Sequence, residues 1–469
     1  MNSKRILAVF SAVLIVFATI SRAQNTTDAQ VWLTTVDRSA LLTHQPDPLR
    51  FSDAKSDAPA IEVNDMQQYQ PIEGFGFALT GGSAQLLMQM TPERRGELLR
   101  QLFTTKGDGL GVSYLRVSVG SSDMNDHVYS YDDMPAGQTD PKLERFSLAP
   151  DEATVIPVLK EILAIDPEIK ILGSPWSAPA WMKTNGAVKG GELKPEFYEA
   201  YSQYLTKYVE GMKEEGINLT AITVENEPLN PKNTPSMVVF AQEEAELIAK
   251  HLGPAFEKAG IKTEIQVYDH NPDVISYPLS ILADAAASKY VAGTAFHLYG
   301  GDSNKLTCVH NQYPNKNLYL TEQSVGGQPD ATSIEIADPV SLVLVGATRN
   351  WARNVLLWNL AADPHAGPHT NDGGCTGCFG AITLDGDRAQ FNEAYYALAH
   401  FSKFVPPGSV RVGSNELEQL STVAFLTPDG KVVLVAVNTG NFPKTFQIEY
   451  HGRSVTATLH SESAATYVW

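Results

Sequence analysis

Cysteine is scarce in this 469-residue chain, with three in all, at positions 308, 375 and 378. So few thiols exclude a disulfide scaffold as what holds the fold, and leave that task to a hydrophobic core. Positive charge is also short. Thirty-five Lys and Arg stand against 53 Asp and Glu, a formal net charge of −18. That balance argues against nucleic acid and anionic membrane surfaces as partners, since both need clustered cations. Long apolar runs are absent apart from residues 6–20. Lys4 and Arg5 precede that run, and Ser21, Arg22 and Ala23 follow it, the pattern of a secretory signal cut after Ala23. As an uncleaved anchor the run is short for a bilayer. No cysteine follows closely, so a lipoprotein anchor is not expected, and the mature chain reads as secreted or periplasmic, with no stable membrane insertion. Low-complexity tracts are missing too, and 43% hydrophobic with 19% charged residues is an ordinary globular composition.

What is there begins with length. A chain of this size exceeds one usual core, so one large domain with a smaller one is expected. Short apolar strands are predicted at 72–80, 112–119, 169–174, 219–224, 265–268, 293–297, 318–321 and 355–360. Amphipathic helical patterns lie between several of them, at 92–103, 195–215 and 237–259, and a last one at 393–404. Eight β-then-α units predict an α/β fold, a (β/α)8 TIM barrel over 71–404. The rival, a doubly wound open sheet, usually carries a Gly-rich phosphate loop after its first strand, and Gly74-Phe75-Gly76 is too short for one. After the turn at 405–408 the chain reads as all β, with strands at 422–427, 431–438, 445–450, 454–459 and 465–469. That tail is short for a sandwich by itself. Pairing with strands at 30–35 and 61–69 would complete it, so residues 24–70 and 405–469 are expected to form one side β-sandwich domain built from both termini.

The predicted strand ends are unusually polar. They supply Arg116, Asp123, Trp176, Asn226, Glu227, Asp269, His297, Tyr299, Glu322 and Trp358. Any one of these could be a satisfied polar group at a strand end, and the tryptophans could be core. Glu227 and Glu322 are different, because each closes its own buried strand at the barrel mouth. Breaking an acetal needs a proton for the leaving oxygen and an electron-rich group opposite to stabilise the oxocarbenium-like centre. One carboxyl must stay protonated near neutral pH while the other stays ionised, so two carboxyls in unlike environments meet both needs without a cofactor or a metal. Glu227 is read as acid/base and Glu322 as nucleophile, with Asn226 on the sugar 2-hydroxyl. A metal-dependent hydrolase would need clustered His and Asp, and His297 is the one histidine this reading places at a strand end. The Cys375–Cys378 pair is open to three readings: a small disulfide loop, free thiols, or a zinc site with His365 and His369.

Together these residues resemble glycoside hydrolase family 30. The resemblance rests on Gly74-Phe75-Gly76 with Ala78-Leu79-Thr80, Leu115-Arg116-Val117, Ser174-Pro175-Trp176, and the run from Trp181 to Ala187. It continues through Glu225-Asn226-Glu227-Pro228, His297-Leu298-Tyr299, Trp358-Asn359-Leu360, the run from His400 to Phe404, and Tyr467-Val468-Trp469. It implies retaining β-glycosidase activity on a carbohydrate or glycolipid, with catalytic Glu227 and Glu322. It also implies sugar contacts from Arg116, Trp176, Asn226, His297, Tyr299 and Trp358, to which its place among the polar strand ends adds Asp123 as a candidate substrate-binding residue. Two places depart from the family pattern. Glucosylceramidase-like members carry an Asp after the Thr of the first strand, where this chain has Gly81. A Gly-Pro-Asn-Trp stretch is here Gly367-Pro368-His369-Thr370. Loss of an end-closing contact suits the branch of the family that cuts β-1,6-glucan internally. A glucosylceramidase-like β-glucosidase, acting on glucosylceramide-like lipids or simple β-glucosides, stands beside that endo-β-1,6-glucanase as the leading reading; a xylan-type glycosidase and a non-catalytic glycan-binding barrel are the alternatives.

Overall fold

The computed structural model describes residues 28–469 except 55, 108 and 327–330. The expected signal, 1–23, lies outside the described residues. Eight parallel strands close on themselves: β1 (Gly74–Leu79), β2 (Tyr114–Val119), β3 (Lys170–Pro175), β4 (Ala221–Thr223), β5 (Glu264–His270), β6 (Val291–His297), β7 (Asn317–Glu322) and β8 (Ala352–Leu357). The ring shuts where β8 pairs with β1, from Asn354 opposite Gly74 to Leu357 opposite Phe77.

Side chains alternate along a strand, so residues two apart share a face. Tyr114, Leu172, Ala221 and Leu356 pack together as a small buried cluster. Two residues further along come Arg116, Ser174 and Thr223, with Trp358 just past the end of β8. The alternation therefore puts an apolar plug inside the barrel and a polar layer directly above it, at the carboxyl end where such barrels carry their chemistry. The outward faces meet helices. In Tyr198–Glu214 the buried residues include Tyr201, Tyr204, Leu205, Tyr208, Val209 and Met212, a 3–4 spacing that lays one stripe on the sheet. The helical stretch expected from 237 begins only at Ala241, because the Glu243 carboxylate accepts from the Phe240 amide at 2.8 Å and caps the helix there. Residues ahead of it stay extended, with the Val239 amide bonded to the Pro228 carbonyl at 3.0 Å.

A nine-stranded sheet draws strands from both ends of the chain. Gln30–Thr34 pairs with Ser463–Val468, and Ala60–Pro71 pairs with Val410–Ser414 on one side and Lys444–Tyr450 on the other. Val432–Asn438 is buried on both faces, which is why it reads as an unbroken apolar run. Val433, Val435 and Val437 join the barrel's core, while Val432, Leu434 and Ala436 join the side domain's own.

His400, on the helix Glu393–Ser402, joins the two domains. Its ring nitrogens bond Thr466 Oγ1 at 2.8 Å and Thr34 Oγ1 at 2.9 Å, and it is fully buried. Burial pushes this imidazole down to about 3 from 6.5. A base whose folded pKa is depressed stabilises the fold fully above about 6.5 and loses that contribution as pH falls towards 3. We expect His400→Gln to reduce the slope of unfolding free energy against pH by about one proton, roughly 1.4 kcal/mol per pH unit between pH 4 and 6. Denaturant titrations across that window measure it, and an unchanged slope contradicts it.

Candidate active site

Four strands converge on one buried arginine. Arg116 on β2 is fully buried and donates from Nη2 to Asp269 Oδ2 and to Asn226 Oδ1, both at 2.7 Å. From Nη1 it donates to Glu322 Oε2 at 2.5 Å, and Nε reaches Ser174 Oγ at 3.2 Å. Asp269, next to last in β5, is the counterweight. It also accepts from Thr223 at 3.0 Å and from Thr321 at 2.5 Å, and its Oδ1 lies 3.1 Å from His297 Nε2. Arg116 and these donors outweigh burial and hold its carboxyl far below the usual carboxylate range.

Glu227 stands just past the end of the short β4. Its backbone is locked in a left-handed conformation, φ 46°, by its amide bonding to the Asp269 carbonyl at 3.0 Å. Its Oε1 lies 3.0 Å from His297 Nδ1, and Oε2 accepts from Asn230 Nδ2 at 2.6 Å. Glu322, which ends β7, receives Tyr299 Oη at 3.0 Å on its other oxygen. One oxygen from each glutamate and one ring nitrogen of His297 lie within 4.8 Å of one another. Three atoms so close could also cradle a cation. The donor set does not fit one, because both His297 nitrogens are already bonded and the ring is a cation itself. Burial opposes that charge, but Glu322 foremost, then Asp269 and Glu227, raise its pKa to about 10.

That charge inverts one expectation. A general acid calls for a raised carboxyl, yet Glu227 is held down at about 2, burial being outweighed by the His297 hydrogen bond and charge. In the resting site the proton of this pair sits on the imidazole. Glu322 is raised above its ordinary value, by burial first and by Glu227 and Asp269, while His297 and Arg116 limit the rise.

A cleft of about 570 Å³ opens above the pair. Asp123, Trp176, Glu227, Tyr299, Glu322 and Trp358 line it. Of the sequence-predicted site residues, Arg116, Asn226 and His297 lie in the layer beneath and touch the glutamates or each other. Trp176 and Trp358 pack at 5.4 Å, and the Arg116 guanidinium lies 4.7 Å from the Trp176 ring. Asp123 sits in the loop after β2, with Oδ1 buried and unpartnered among the described residues. Burial, then Glu322 and Glu227, push its carboxyl up to about 8. Trp181 stays in the core, its indole donating to the Asp132 carbonyl at 2.9 Å.

Two features escaped the sequence, and one open reading was decided. Asp269 was visible at a strand end, but its pairing with Arg116 needs two strands three places apart in the chain to face each other across the barrel mouth. His270 also lines the cleft, 3.7 Å from Glu227 Oε1, so His297 is not alone at a strand end. The fifth strand was predicted only as far as 268; it runs on through His270, although Tyr268 and Asp269 have positive φ. Cys375 and Cys378 form a disulfide, which selects one of the three open readings, and they too line the cleft.

The absent aspartate after Thr80 has a local reason. A Cβ at Gly81 would lie 1.9 Å from Asn125 Nδ2, so Asn125 fills the space a side chain would need. The model of the glycosyl hydrolase family 30 TIM-barrel domain matches residues 72–405, and that of the family's β-sandwich domain matches 408–467. The chain belongs to glycosyl hydrolase family 30. It is a glycosyl hydrolase, as the resemblance implied. Within family 30 it is 34% identical over 428 residues to endo-1,6-β-D-glucanase neg1 of Aspergillus fumigatus, covering 85% of each chain. It is 28% identical to the lysosomal acid glucosylceramidase of Mus musculus, over 86% of this chain and 82% of that one. The solved structure of the endo-β1,6-glucanase BT3312 superimposes with a TM-score of 0.85 at 33% identity, covering 94% of this chain and 99% of that one. Among the described residues no helix is long and apolar enough to cross a membrane.

Proposed function

We propose that this family 30 hydrolase cuts β-1,6-linked glucan internally and with retention of configuration. The observation that carries the reading is the approach of Glu227 and Glu322, with oxygens within 4.8 Å. Retaining glycosidases hold their carboxyls about 5 Å apart, while inverting ones leave room for a water between. Glu322 attacks the anomeric carbon as the bond to the leaving oxygen breaks, forming a glycosyl ester. The leaving oxygen takes its proton from Glu227, which is resupplied by His297 Nδ1 across their hydrogen bond. In the second step water attacks the same carbon, gives its proton back to the Glu227–His297 pair, and frees Glu322. Forming the ester removes the Glu322 charge that sustains the imidazolium, so the pair's proton affinity falls as the proton leaves.

Arg116 and Tyr299 orient the nucleophile. Asn226 spends its carbonyl oxygen on Arg116, which leaves its amide hydrogens for the 2-hydroxyl. The unpartnered Asp123 carboxyl is a ready partner for a hydroxyl further round the ring. Trp176 and Trp358 suit the apolar face of a pyranose. The β-1,6-glucan assignment is supported by likeness to two endo-1,6-glucanases and by Gly81, which removes the end-closing aspartate.

A substrate panel tests it. We expect β-1,6-glucan to give a ladder of oligosaccharides, with kcat/KM about a hundredfold above that for glucosylceramide or xylan, the scale a shaped pocket supplies. Preference for glucosylceramide, or release of glucose alone, would overturn internal cleavage of glucan and favour a glucosidase acting from the chain end.

A further inference from the structure

We infer that the Cys375–Cys378 disulfide is the sulfur wall of the subsite that holds the glucosyl ring being transferred, and so helps to decide which sugar fits. This rests on the reading of the cleft as a β-glucosyl site. Both sulfurs line the cleft, half-buried, and they pack on the cluster of Trp176, Trp358, Met124, Ala78 and Ala362. Cys378 Sγ lies 3.7 Å from Ser324 Oγ, just past Glu322, so the wall also reaches the loop that follows the nucleophile's strand.

The loop that carries the disulfide is tied down on every side. The Thr370 amide bonds the Asp123 carbonyl at 2.9 Å, and Thr370 Oγ1 bonds the Thr234 carbonyl at 2.8 Å. Gly373 has φ 92° and lies so near the 232–234 loop that a Cβ would fall 2.4 Å from the Lys232 carbonyl. A Cβ at Gly374 would sit 3.0 Å from the Asp123 carbonyl. The loop thus bridges Asp123 and the 232–234 segment, and the disulfide at its far end packs on Trp176 and Trp358. Since Trp176, Trp358 and Asp123 are read above as the groups that hold the transferred ring, the disulfide packed on the two tryptophans faces that ring.

Its chemistry sets what it can accept. A disulfide is polarisable and apolar and offers no strong donor or acceptor. It favours the C–H face of a sugar and penalises a hydroxyl turned towards it, which would lose water without gaining a partner. A covalently closed ring of four residues holds this surface in place before the substrate arrives, which lowers the cost of ordering it on binding.

The test compares wild type with the double variant Cys375→Ser, Cys378→Ser on an aryl β-glucoside and on gentio-oligosaccharides. The expected result is a rise in KM of about tenfold on both substrates with kcat falling less than about threefold, the signature of lost ground-state binding. Dithiothreitol added to folded wild type should give the same shift, and reoxidation should reverse it, so the result does not depend on the variant folding. A lower Tm with unchanged KM overturns the inference and makes the disulfide a brace. A KM change confined to the oligosaccharides also overturns it, by placing the wall on the leaving-group side. Should wild type hydrolyse no β-glucoside, it is the functional reading that fails, an outcome seen before the variant is made.

Discussion

Glu322→Gly is expected to lose about four orders of magnitude or more in kcat, the scale seen when a nucleophile is removed from a preorganised site. The loss should come without unfolding, because Arg116 keeps Asp269 and Asn226 as partners. Added azide should then restore turnover by entering where the carboxylate stood. Attack from that face yields an α-configured glycosyl azide, which proton NMR identifies from the anomeric coupling. A β-configured azide from this variant would exchange the roles of the two glutamates. Absence of any rescue, with wild-type activity intact, would argue against a covalent intermediate on Glu322.

Glu227→Gln should cost about 10²- to 10⁴-fold, the usual contribution of positioned proton transfer. The loss should depend on the leaving group. An aryl glycoside with an acidic phenol needs little protonation, so its first step survives and the glycosyl-enzyme accumulates as a burst. A sugar leaving group needs the proton, so glucan hydrolysis should bear the full loss. Azide acts here on the accumulated intermediate and gives the β product. The proton stored on His297 adds a further readout: with Glu227 replaced, the basic limb of the kcat/KM profile should flatten. Equal losses for good and poor leaving groups would place Glu227 in binding rather than proton transfer.

Much of this site was legible before any coordinates. Glu227 and Glu322 each close a buried strand, and buried strands in a β/α alternation end at one rim, so the two carboxylates could be paired from order alone. Arg116, Asn226, His297, Tyr299 and Trp358 followed from the same rule. It failed where local propensity and tertiary pairing disagree. The positive φ of Tyr268 and Asp269 interrupts β5 without ending it, and pairing with β6 resumes at His270, so one histidine of the cleft went unseen. Charge was the other blind spot. A raised carboxyl was expected for the acid, but which atom holds a shared proton depends on distances among His297, Glu227, Glu322 and Asp269.

By itself the sequence determined the repeating strands and helices, the side domain drawn from both ends, and that Glu227 and Glu322 end strands at one rim, because hydrophobic periodicity and strand order are properties of the chain. Only the tertiary structure decided where the proton rests, that Asn125 fills the place of the missing aspartate, and that a disulfide forms one wall of the cleft. Those outcomes depend on separations of a few ångströms between residues distant in sequence, and electrostatics, exclusion and contact all act over that range.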